Sequence, residues 1–341
     1  IDNIYGNSTS LNGWCSSGPP RVFGRFIAWH VGNESHIEIP FVLNLKWLDA
    51  ARDGMIRKGC EMRFPDWIAG EHVFVMTANP ILHFLAGLVG DPITKKYPEA
   101  HQAVNEDGIA GIIDALDGRG LKRAIFVSTC SNYGLIPEGP LADEDFELNP
   151  LSLYAKAKVG MEKKLLGLEG KVDFEGVALR FATAFGLAPR MRFDLTVSQF
   201  TREMYLKNDL LVYDPDTWRP YCHVQDFAEV IQRVLEAPTD TVAFDVFNAG
   251  GDANNFTKRM IVEAIQKHIP DAPVDYEEHG SDPRNYRVDF SKIRDRLGFT
   301  PRYTVEDGIR ELIRALDQNL FADVDDRTNF YGNYEISYPV R

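Results

Sequence analysis

The chain has 341 residues, 44% hydrophobic and 26% charged, enough length for one large α/β domain and a smaller lobe with ordinary globular composition. Its formal charge of −13 at pH 7 argues against general binding to nucleic acid or anionic membranes, and leaves room for a local basic pocket that takes a diphosphate. Cys15, Cys60, Cys130 and Cys222 are scattered without Cys-x-x-Cys spacing, so neither a disulfide framework nor a zinc site is expected. No stretch reads as a signal peptide or a membrane span, and the expected compartment is the cytoplasm.

Residues 1–17 are polar and turn-rich. Gly18-Pro-Pro-Arg-Val-Phe-Gly24 follows, and residues 25–31 have an amphipathic helical pattern. In a dinucleotide-binding fold this is where a glycine-rich turn delivers a pyrophosphate to a helix N-terminus. Residues 36–45 predict a strand interrupted by Pro40. Residues 60–67 predict another short one ending at Asp66 and Trp67. Residues 82–92 predict a further strand running into a turn of small residues, which suits a backbone that must lie flat against a flat ligand. Residues 98–116 predict a helix with Val104, Ile109, Ile112 and Ile113 on its apolar side.

The apolar run Arg123-Ala-Ile-Phe-Val-Ser128 reads as a short buried strand, ending at Thr129. An acidic loop follows; Asp143, Glu144, Asp145 and Glu147 read as solvated carboxylates, and no metal is assigned. A helix then begins at Tyr154-Ala-Lys-Ala-Lys158. Residues 176–186 predict the next strand, running into a loop that carries Arg190 and Arg192 ahead of a helix through Met204. Residues 210–226 predict a strand and turn, with His223 bracing the turn and Asp226 capping the helix that follows. Strand-to-helix patterns recur at 245–268, a helix closes at 305–319, and 321–341 form a tail. Strands alternating with helices give the α/β class.

Tyr154 and Lys158 are four apart and project from one helix face. An ammonium beside a phenol favours the phenolate, which brings a group of pKa near 10 toward the range of a general base. Thr129, at a strand end, supplies a hydroxyl to share the proton with a substrate oxygen. With 13 tyrosines in the chain, a Tyr-x-x-x-Lys arises by chance on the order of once, so the setting carries the weight. That setting is a buried strand, a Thr/Ser-rich turn ending Tyr133-Gly134, about 20 residues of loop, then the pair on a helix.

This stretch resembles the extended short-chain dehydrogenase/reductase family, specifically its nucleotide-sugar epimerases and dehydratases. The likeness is good over residues 82–312 and poor over 1–81. It implies a Rossmann-like doubly wound parallel sheet over 1–180, which would bind NAD and carry the Tyr/Lys helix. A smaller C-terminal α/β lobe for the nucleotide sugar would occupy 181–341, with some segments returning to the first domain. By the resemblance, Thr129, Tyr154 and Lys158 are catalytic. Gly18 and Gly24 stand at the outer glycine positions of the cofactor turn, where Arg21 in the middle position either crowds the phosphates or adds a charge. Asn44 stands for the usual acidic ribose ligand, or is simply a turn residue. Asp66 and Trp67 fall at the adenine, Leu85, Ala86 and Gly87 at the nicotinamide, and Asn105 matches an asparagine that orders the active site. The substrate would meet Ser131, Asn132, Thr183, Arg190, Arg192, Arg219 and Arg284, the last two as diphosphate ligands through bidentate guanidinium contacts. Family dehydratases carry an Asp-Glu pair after the threonine, where this chain has Cys130 and Ser131, so the implied reaction is epimerisation of an NDP-hexose at C4 through a transient ketone. A dehydratase, a ketoreductase and a catalytically silent nucleotide-binding homologue stay open. A homodimer paired through the helices near 105–116 and 154–166 is implied, with no nucleic-acid or membrane partner.

Overall fold

Five strands form the central sheet of the computed structural model, in the order Asp245–Ala249, Glu175–Phe181, Arg123–Thr129, Ile81–Phe84, Val75–Ala78. The structure describes residues 87–136, 139–188, 190–280 and 282–336, together with the backbone of the short strands Arg21–Phe23, Phe26–Ala28, Val75–Ala78 and Ile81–Phe84. Four strands of the sheet are parallel and Val75–Ala78 closes one edge antiparallel. The strand Arg123–Thr129 lies near its middle, pairing along its whole length from Arg123 opposite Glu175 to Thr129 opposite Phe181.

Residue alternation in that strand explains the layering. Ala124 and Phe126 point to one face, where they pack with Ile109, Ile113, Leu165 and Phe174 from flanking helices and a loop. Ile125 points to the other, with Val177, Leu179 and Phe247 against Val230, Ile231 and Val234 of the helix Val224–Glu236. Helices therefore cover both faces, which is why the strand reads as a continuous apolar run. Its first residue is the exception. Arg123 is wholly buried, but its guanidinium pairs with Glu175 and caps the carbonyls of Val234, Leu235 and Ala237 at the end of that covering helix.

The second lobe gathers the sheet Asn255–Thr257, Trp218–His223, Thr183–Phe185 and the pair Leu210–Tyr213 with Val274–Glu277. The helices Thr196–Leu206, Lys258–Gln266 and Val305–Asp317 pack there around Phe185, Met204, Ile261, Ile265 and Ile309. The closing helix starts in a capping box between Thr304 and Asp307. The intervening strand Asp245–Ala249 returns to the central sheet.

Three expectations are corrected here. The helix expected over 25–31 is replaced in part by the strand Phe26–Ala28, paired antiparallel with Arg21–Phe23; Val22 opposite Ile27 and Phe23 opposite Phe26 are residues that favour a strand. The helix expected over 98–116 is present as the consecutive segments Pro98–His101, π-helical Gln102–Gly108 and Ile109–Asp114. Asp226 does not cap its helix: His223 does, accepting from the Gln225 amide at 3.1 Å, while buried Asp226 accepts from the amides of Arg302 and Tyr303. Glu144 is not solvated; it is buried and accepts from the Asn248 amide at 2.7 Å, and burial raises its pKa. Among the described residues no helix is long and apolar enough to cross a membrane.

Candidate active site

Ser152 starts the candidate catalytic helix, Leu153–Leu166, by accepting from the Ala155 amide at 3.2 Å. One turn in, Lys158 is 5% exposed. Its Nζ donates to the Val127 carbonyl at 2.7 Å and lies 4.7 Å from the Phe126 ring centre and 5.8 Å from that of Tyr154. The helix is thereby pinned to the middle strand by the lysine itself. Thr129 ends that strand and accepts from the Ser131 amide at 3.1 Å, opening the 3-10 turn Cys130–Tyr133. With its oxygen holding that amide, the Thr129 hydroxyl proton is left to donate.

The electrostatics differ from the expectation of a phenolate sustained by Lys158. Burial pushes the Tyr154 phenol up, Asp91 pushes it further, and Arg192 and Arg284 oppose them. Burial also pushes Lys158 down to about 8. The lysine addresses a carbonyl and an aromatic face, and in this state Tyr154 keeps its proton. Its ionisation calls for more positive charge beside it.

Gly87 is buried with φ +141°, in the region that favours glycine, and a Cβ there would stand 2.8 Å from Asn105 Oδ1. Buried Asn105 holds both backbone groups of the next residue: Oδ1 accepts from the Leu88 amide at 2.7 Å and Nδ2 donates to its carbonyl at 2.9 Å. A backbone ledge fixed by Asn105 results at Gly87–Leu88, the segment expected at the nicotinamide end of a dinucleotide. Gly18, Gly24, Asn44, Asp66, Trp67, Leu85 and Ala86, expected around the rest of the cofactor, lie outside the described residues. Arg21 begins a strand.

The diphosphate candidates converge. Arg219 and Arg284 both pair with Asp282, at 3.1 and 2.7 Å, and Arg284 also reaches Asp91 at 2.8 Å. Arg284 Nη1 lies 3.4 Å and the Tyr286 hydroxyl 3.3 Å from Ser131 Oγ, two residues past Thr129. Arg219 stacks over the Tyr286 ring at 5.1 Å. Arg192 pairs with Asp194. Arg190 is engaged elsewhere, by the Phe330 and Gly332 carbonyls and Asn333 of the tail. Thr183, partly buried, sits opposite Tyr221 in the lobe sheet. Asn132 is corrected: fully buried, it donates to Ser128 Oγ at 3.1 Å and is not presented to a substrate.

Sequence reasoning passed over Asp91, Asp282, Tyr286 and Asn333. Asp282 and Tyr286 flank Arg284 and share its signal. Asn333 has none, because it reaches Val89 across the molecule, donating to that carbonyl at 2.8 Å. His223 braces its turn as expected: it is fully buried, 3.0 Å from Glu311 and stacked on Tyr303.

A parallel sheet covered on both faces, with a threonine at a strand end and a Tyr-x-x-x-Lys on the next helix, defines a short-chain dehydrogenase/reductase. Residues 47–250 match the family model described as NAD dependent epimerase/dehydratase family. The chain belongs to this NAD-dependent epimerase/dehydratase family, and its cofactor is NAD. It is 30% identical to a dTDP-glucose 4,6-dehydratase of Streptomyces niveus over 82% of this chain and 80% of that one. It is 23% identical to a UDP-glucuronate 4-epimerase of Thermodesulfobacterium geofontis, over 86% and 94%. The fold is like that of a UDP-glucuronic acid 4-epimerase from Bacillus cereus solved with UDP-glucuronic acid and NAD, with a TM-score of 0.63 and 22% identity over 70% of this chain and 76% of that one.

Proposed function

We propose that the chain is an NAD-dependent epimerase that inverts C4 of a nucleotide-diphosphate hexose through a transient ketone. One observation carries this reading: Arg284 touches Ser131, two residues from Thr129, and its charge acts on Tyr154. Paired arginines at the edge of a proton-transfer site match a substrate with a diphosphate at one end and a reacting alcohol at the other.

Tyr154 accepts the proton of the sugar hydroxyl, and Thr129 donates to the same oxygen to hold it in place. Lys158 braces the helix and exchanges its proton near pH 8, as its lowered pKa allows. NAD, when bound, supplies a reversible hydride acceptor whose cationic ring adds the positive charge that favours the Tyr154 phenolate. Asn105 and Gly87 would hold its nicotinamide, and Arg219 and Arg284 exchange Asp282 for the diphosphate.

Elimination of water fits less well, despite the dehydratase relative. It needs an acid/base pair beside the threonine, and Cys130 is fully buried, donates to the Arg180 carbonyl, and has its thiol pushed far up by burial. The test is product analysis with UDP- and dTDP-hexoses and no added cofactor. A C4 stereoisomer is expected; a keto-deoxy sugar would replace this reading with a dehydratase, and bound sugar without turnover would make the chain a binding protein.

A further inference from the structure

The helical stretch after the Gly87 ledge carries a buried histidine to which the proposed chemistry assigns no task. His101 is 2% exposed and ends the helix Pro98–His101. One turn on, Asn105 spends its Oδ1 and one N–H on the Leu88 backbone, and its Nδ2 also lies 2.9 Å from His101 Nδ1. An amide nitrogen has only hydrogens to offer, so Nδ1 must present a lone pair and the ring is the neutral tautomer protonated at Nε2. The amide cannot flip to suit a donor at His101, because Oδ1 must face the Leu88 N–H.

Burial favours the neutral ring. Nε2 is buried without a hydrogen-bond partner among the described residues, with Glu106 Oε1 3.6 Å away. From the catalytic helix the group facing the ring is the Leu153 backbone. Burial holds the imidazole below its ordinary 6.5, with Glu106 and Leu153 opposing.

We propose that His101 is a positioning residue for the cofactor: neutral, it locks Asn105 and hence the Gly87–Leu88 ledge in the shape that receives the nicotinamide. Protonated, it confronts the Asn105 amide with a second donor and drives it off Leu88. The proposal rests on the reading that this ledge holds the nicotinamide. The folded pKa lies below the unfolded one, so the contribution of His101 is complete above about pH 6.5 and is lost as pH falls through the lowered value.

The test compares wild-type holoprotein with His101→Gln, whose carbonyl accepts without titrating, and His101→Leu, which cannot accept. NAD retained after gel filtration and the melting temperature are both measured at pH 8 and pH 5. Wild type should hold NAD more weakly at pH 5 than at pH 8, by up to about tenfold where the ring is fully protonated, the effect of losing one buried hydrogen bond. His101→Gln should bind alike at both pH values, and His101→Leu should be weak at both. Equal retention by wild type at both pH values, or a His101→Gln that follows wild type, overturns the proposal. If wild type carries no NAD yet His101→Gln narrows its loss of melting temperature at pH 5, the nicotinamide reading fails and the lock alone stands. If melting is also unchanged, both fail.

Discussion

Lys158→Met should stabilise the cofactor-stripped protein at neutral pH while abolishing turnover. Burial lowers the lysine from 10.5 to about 8, so keeping it charged inside the fold costs about 3 kcal/mol at ~1.4 kcal/mol per pKa unit. The unfolded chain binds more protons between those two values, so wild-type stability rises as pH climbs from about 8 to 10.5, and the full cost is present below 8. Methionine removes the charge, keeps most of the volume, and loses the bond to the Val127 carbonyl, a loss of about 1 kcal/mol. The variant should therefore be roughly 2 kcal/mol more stable at pH 7, an advantage that disappears toward pH 10.5. Urea unfolding at pH 7 and pH 10 measures this. A variant less stable than wild type at pH 7, or a difference independent of pH, would refute the account of Lys158 as a desolvated ammonium.

Other substitutions probe the remaining parts. Gly87→Ala places a Cβ 2.8 Å from Asn105 Oδ1 at an unfavourable φ, and should weaken NAD binding at least tenfold in a titration, with about 1–3 kcal/mol lost in urea unfolding. Glu162→Gln leaves the buried Arg180 guanidinium without its countercharge and should cost about 3–5 kcal/mol in the same assay. Arg219→Ala should raise KM for the nucleotide sugar about tenfold or more, on the scale of one charge-assisted hydrogen bond, with kcat little changed. An unchanged KM would remove Arg219 from the diphosphate site.

The placement of Thr129, Tyr154 and Lys158, the proposed catalytic trio, was legible because each member carries a local signal. The i, i+4 spacing puts Tyr154 and Lys158 on one face, and a fully apolar strand leads to Thr129. Arg219 and Arg284 stood out as residue types within their segments, and the fold shows how they meet, through Asp282. What failed was local inference overruled by distant contacts. Asp226 has a cap residue's sequence position, but the chain at Arg302 and Tyr303 arrives to claim its carboxylate. Glu144 sits in an acidic run, but it alone turns inward to Asn248. The Tyr154 shift in the cofactor-free fold was hidden for a similar reason: spacing reports which residues are neighbours, while burial and Asp91, far away in sequence, set its upward sign.

The central claim is that the sugar alcohol is oxidised transiently and the same hydrogen returns to its carbon. Proton NMR of the product formed from a UDP- or dTDP-hexose in D2O, without added cofactor, measures this most directly. The account predicts a C4 epimer that keeps protium at C4, with no product at all from Tyr154→Phe. Deuterium at C4, or an undiminished Tyr154→Phe, would contradict it.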